Sequence, residues 1–204
     1  MNDLYQALGD ISRIRSQVAA TTEFRGYGPA TLAGTGVLAL CAAAVQTVAV
    51  PEATTHLSTY LALWCGTAVL AMSLTGAQML TRSRRMHSAL SGEMIRMAVE
   101  QFAPALGAGC LLTLVLFFYA PQVAWMLPGL WQVVFSLGAF ASCRFLPKPM
   151  FIAGAWYLFT GLALLAIGER NPLSPLVMGI PFGVGQILVA AILFVSNRRT
   201  ADEA

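Results

Sequence analysis

Charge is what this chain has least of. Only 10% of its 204 residues are charged, against roughly a quarter in an ordinary soluble domain. No Asp, Glu, Lys, Arg or His falls within any of six apolar segments, at 29–50, 57–80, 102–120, 124–143, 150–168 and 175–196. Ion-coupled transporters usually carry ionisable residues at membrane depth, so a proton- or ion-driven pump is disfavoured. There are two histidines, His56 and His87. They fall on opposite sides of the apolar array, which excludes a two-histidine metal site or paired haem ligands within one chain. Four cysteines, Cys41, Cys65, Cys110 and Cys143, lie singly in four segments with no Cys-x-x-Cys pair. They read as small apolar residues rather than a disulfide framework. His-Glu-x-x-His, a glycine-rich phosphate loop and a Gly-x-Ser-x-Gly elbow are all missing. No catalytic set, metal or cofactor is therefore expected, and the chain is read as no enzyme.

What the chain has in plenty is apolar length. Hydrophobic residues make up 57% of it, and its mean hydropathy is +0.70. Each segment is near the ~20 residues that cross a ~30 Å hydrocarbon core as a helix. The fold class expected is all-α: a polytopic membrane protein with six transmembrane helices, arranged as three helical hairpins, plus two cytoplasmic amphipathic helices. Eleven of the twelve basic residues fall on one side, and Arg170 is the exception. By the positive-inside rule that side is cytoplasmic, with both termini there. No cleavable leader is visible in the polar first 28 residues. Eleven arginines to one lysine, in a chain rich in Ala and Gly, suggest a GC-rich bacterial genome. The expected address is a bacterial inner membrane.

The boundaries follow from these signals. An N-terminal amphipathic helix is expected within 1–28, with Leu4, Leu8, Ile11 and Val18 on one stripe. Gly26, Tyr27, Gly28 and Pro29 break it, and Pro29 suits the first turn of the next helix. The six-helix bundle occupies 29–196, with a second cytoplasmic helix at 83–101 and a tail at 197–204. Arg96 stands three residues after Glu93 and four before Glu100, so it can pair with both.

Two sets of residues stand out. Gln46, Gln78, Gln132 and Gln186 are amides within apolar segments, where each must find a partner. Gln132 and Gln186 lie nearer mid-depth, and with Trp64 and Trp131 they are the candidate ligand or permeant contacts. Tyr60, Trp64, Phe117, Phe118, Tyr119, Trp125 and Trp131 gather toward one interface as an aromatic belt would. At the opposite interface Arg25, Tyr27, Arg84, Arg85 and Arg96 are the candidate headgroup or partner contacts. The small faces Gly34/Gly36, Gly107/Gly109 and Gly179-x-x-x-Gly183 predict close helix packing, and the last suggests a homodimer seam. Pro181 should kink its helix unless neighbours satisfy the carbonyl it frees.

The function expected is non-catalytic: binding of a lipid or apolar small molecule, docking of a cytoplasmic partner, or both. The alternative is a facilitator or transporter for a neutral or apolar solute. The expected partners are the bilayer, with its anionic inner-leaflet headgroups, and a cytoplasmic protein. Nucleic acid is not among them, because the arginines form no basic face.

Overall fold

The computed structural model describes residues 11, 14, 28–86, 89–143, 146–147, 149–168, 170 and 172–202. Among them every regular element is helical: α1 (Pro29–Ala49), α2 (Leu57–Met86), α3 (Ala89–Tyr119), a short 3-10 helix (Pro121–Met126), α4 (Leu127–Ser142), α5 (Met150–Ile167) and α6 (Pro175–Asp202). Six helices are long and apolar enough to cross a membrane: Pro29–Ala49, Leu57–Thr81, Val99–Tyr119, Pro121–Ser142, Met150–Ile167 and Pro175–Ser196. Large apolar side chains such as Leu111, Phe118, Phe151, Phe159 and Leu176 cover the outside. A surface of this kind suits lipid tails and is untenable in water.

Local chemistry explains the breaks. α1 opens on Pro29, with Gly28 at its N-cap. It closes at Val50, whose helical conformation is disfavoured by the Pro51 that follows. α5 ends at Gly168, which adopts φ 72° and whose N–H donates to the Leu164 carbonyl at 3.3 Å. A side chain at that φ would be strained. Between α4 and α5, the turn carrying Pro147 and Pro149 is closed by Met150 N–H donating to Pro147 O at 2.8 Å.

Of the stretch expected as one helix at 83–101, α2 covers the residues up to Met86 and α3 those from Ala89, with 87–88 outside the described residues. Two boundaries depart from expectation. The expected tail continues α6 to Asp202. The fourth span starts with a 3-10 turn at Pro121 and becomes α-helical only at Leu127. Of the N-terminal amphipathic stretch, only Ile11 and Ile14 are among the described residues; both are helical and exposed.

The helices follow one another around the bundle as α2, α1, α6, α5, α4, α3, and the ring closes where α2 and α3 meet only sparsely. The first and last helices, α1 and α6, form the most extensive pair, followed by α4 with α5. We call the end where α1 begins the near end. At the far end a core built on Tyr60, Leu61, Trp64, Leu127, Leu173 and Met178 joins α1, α2, α4 and α6, with Leu116 and Phe117 of α3 against it. At the near end the core contracts to Leu32, Met150, Ala153, Ala190 and Leu193, from α1, α5 and α6.

Candidate functional site

Each amide in the apolar segments is tied across helices. Gln46, in the last turns of α1, is fully buried. Its Nε2 donates to the Leu173 carbonyl at 2.6 Å, and its Oε1 accepts from Trp64 Nε1 at 2.8 Å. One side chain thus binds α1 to α2 and to the chain entering α6. Gln78 sits at the other end of the bundle, where its Oε1 accepts from Gly28 N–H at 3.2 Å. That N–H precedes α1 and has no intrahelical partner. The space a Cβ at Gly28 would need is filled by the same amide.

The centre of the bundle is organised around Pro181. Proline has no N–H, so the carbonyl four residues earlier, Val177 O, loses its helical donor. Gln132 of α4 supplies one: its Nε2 donates to Val177 O at 3.1 Å. One turn on, Trp156 of α5 donates from Nε1 to Pro181 O at 2.9 Å. A further turn on, the Tyr157 phenol fills the space that a side chain at Gly185 would occupy. Thr35 of α1 then donates to Gln186 Oε1 at 3.4 Å. Polar side chains from α4, α5 and α1 therefore meet α6 along its first three turns. Phe135 packs edge-on against Tyr157 and Phe182, which meet each other at a tilt, with centroids 4.7–5.6 Å apart. Gln132 and Tyr157 are fully buried, and Gln132 Oε1 has no hydrogen-bond partner.

The structure divides the four candidate ligand contacts between the far core and α6. Trp64 is buried in the far core with its N–H committed to Gln46, while Trp131 packs against that core and donates to Thr113 Oγ1 at 2.8 Å. Gln132 and Gln186 both serve α6, but at different turns. The aromatic belt divides too: Tyr60 and Trp64 point inward, whereas Phe118 and Tyr119 are exposed. Among the headgroup candidates, Arg25 and Tyr27 lie outside the described residues, as do the side chains of Arg84 and Arg85. Arg96 is exposed and pairs with Glu100 at 3.4 Å, an ion pair worth a few tenths of a kcal/mol.

The Gly179-x-x-x-Gly183 face is filled within the chain. A Cβ at Gly179 would meet Ala43, and one at Gly183 would meet Leu40, both on α1. The signal for close packing was legible; its partner is α1. Cys41, Cys65 and Cys110 face outward and are free, as is the half-buried Cys143. Among the described residues no group of three His, Cys, Asp or Glu could hold a metal ion.

Beside the α1–α6 pairing, an open groove of about 230 Å³ is lined by Leu40, Ala43, Ala44, Thr47, Pro175, Leu176, Gly179 and Ile180. Its one hydroxyl, on Thr47, donates to Ala44 O at 2.7 Å and offers the groove no free donor. The sequence reading marked Gly179 as a packing face but did not point to a groove here. The signal was present in the small residues Ala43, Ala44 and Gly179, which leave the space between larger neighbours.

No family model, curated protein or solved structure matches this chain. Its own geometry must carry the functional reading.

Proposed function

We propose that this multi-pass protein of a bacterial inner membrane is non-catalytic and binds a lipid through the groove between α1 and α6. The observation that carries the reading is the groove's lining, which is apolar apart from the internally bonded Thr47 hydroxyl and lies open at the side of the bundle. Its volume of about 230 Å³ falls below the roughly 300–1,000 Å³ of pockets for drug-sized ligands. It suits a stretch of acyl chain. The near end is taken as cytoplasmic, because the arginines gather there. Arg25, Tyr27, Arg84, Arg85 and Arg96 would then stand at headgroup level, available to anionic lipid or to a cytoplasmic protein partner. A second copy of the chain would have to use a face other than the glycines of α6.

Photo-crosslinking tests the reading, with a diazirine-tailed phosphatidylglycerol and a diazirine-tailed phosphatidylcholine in proteoliposomes. Adducts are expected to concentrate at residues 40–47 and 175–180, above the level on the exposed α3 positions Leu111 and Leu114. Ala44→Phe, which fills the groove, should bring them down to that level. Arg84→Ser/Arg85→Ser/Arg96→Ser should leave these adducts unchanged, because the groove occupies the far half of α1 and α6 and those arginines stand at the near end. Equal labelling of groove and α3 would sink the proposal.

A second reading, a facilitator for a neutral solute, is favoured by one observation: the fully buried, unpartnered Gln132 Oε1 near mid-depth. It requires glycerol uptake by proteoliposomes to exceed that of empty vesicles and to fall on Gln186→Leu. Uptake no faster than through bare lipid would remove it.

A further inference from the structure

The far wall of the groove is the part of α6 that precedes Pro181: Pro175, Leu176, Gly179 and Ile180. This short stretch is joined to the rest of α6 through a turn that lacks its backbone hydrogen bond. A proline in mid-helix both removes that bond and pushes against the carbonyl four residues back, so a kink is the natural outcome. In a water-free interior the freed carbonyl must find another donor. Gln132 provides it from α4, at 3.1 Å. The other end of that amide has no partner, so Val177 is its one hydrogen-bonding engagement. On the opposite side of the joint, Trp156 holds Pro181 O from α5. Hydrogen bonds from two different helices thus hold the two sides of the joint, while α1 packs along both halves of α6.

We propose that α6 is jointed at Pro181, and that Gln132 latches the joint and so sets the width of the α1–α6 groove. The inference rests on the groove being the ligand site for its functional meaning, and on the α6 geometry alone for its mechanics. With the latch made, Gly179 stays seated on Ala43 and the groove keeps its shape. With the latch broken, Val177 O is left without a donor, and the stretch before Pro181 shifts away from α1 to relieve it. The chemistry predicts its own rescue. Pro181→Ala restores a backbone N–H to Val177 O, after which Gln132 is no longer needed.

The test is the distance between nitroxides at Thr47→Cys on α1 and Leu176→Cys on α6. Both positions are exposed. The four native cysteines are changed to Ala, and the protein is held in phosphatidylcholine nanodiscs. Gln132→Leu should widen the distribution and move its centre outward by about 2 Å, the scale of helix shifts at packed interfaces. Gln132→Leu/Pro181→Ala should return it to the starting value. An unchanged distribution in Gln132→Leu would overturn the latch, and so would a double variant as broad as the single one. If Gln132→Leu alone does not fold, recovery of folded protein on adding Pro181→Ala supports the latch, and continued loss overturns it. The readout contains no ligand. A distance that responds in a protein showing no lipid adducts at the groove upholds the joint and rejects the ligand reading.

Discussion

Gln46→Leu is expected to cost about 3 kcal/mol of stability, the largest loss from any single polar side chain described above. The change strands two buried groups at once, the Trp64 indole N–H and the Leu173 carbonyl, now held at 2.8 and 2.6 Å. Each unsatisfied buried group costs about 1–3 kcal/mol. Hydrogen bonds between membrane helices average nearer 0.6 kcal/mol, because the unfolded reference also finds partners. The lower half of the range is therefore the fair expectation for each, and the two together give the figure. Reversible unfolding in mixed micelles measures it. Adding Trp64→Phe to Gln46→Leu removes one stranded group and should recover about 1 kcal/mol. A single-variant loss below about 0.5 kcal/mol would mean that water reaches this corner.

Gly161→Ala should destabilise by about 1–3 kcal/mol, the usual range for overpacking a close contact, and Gly161→Leu should prevent folding. The reason is a reciprocal glycine pair where α4 crosses α5. A Cβ at Gly161 would lie 2.8 Å from Gly129 O and 3.0 Å from Gln132 Cβ, and one at Gly129 would lie 2.9 Å from Gly161 O. Backbone oxygen cannot swing aside as a flexible side chain can, so the helices must separate. Gly107 is the control, since a Cβ there meets nothing within 4 Å. Gly107→Ala should be neutral or stabilising by up to ~1 kcal/mol, as helix propensity predicts. Equal melting temperatures for Gly161→Ala and Gly107→Ala would show that the α4–α5 crossing is looser than described.

The spans were legible because length, apolarity and the flanking prolines and glycines all act locally. Pro29, Pro51 and Gly168 mark helix ends by backbone chemistry that needs no knowledge of the fold. Which helices pair was not legible. A soluble helix marks its inward face by polarity, but here Leu111 and Leu127 are equally apolar, and one is exposed while the other is wholly buried. Glycine spacing gave the only sign of an α6 seam, without naming α1 as the helix that fills it. The amides show a similar division. That each needs a partner followed from their setting; that Gln132 finds Val177 depended on α4 and α6 meeting at the turn Pro181 disrupts. Pro181 alone did identify the carbonyl in need. Trp156, Tyr157, Thr35 and Thr113 passed unremarked because a lone hydroxyl or indole in an apolar run is ordinary until its partner is known.

The pairing of α1 with α6 has a consequence for how the protein is made. α1 leaves the ribosome well before α6, with residues 50–174 between them. At about 5–20 residues per second, α1 waits roughly 10 s for its main neighbour. During that interval Gln46 has no Leu173 carbonyl to bind, but Trp64, on the next helix to emerge, can already engage it. The α1–α2 hairpin thus shields half of its most demanding polar group early in synthesis, and arrival of α6 completes the set.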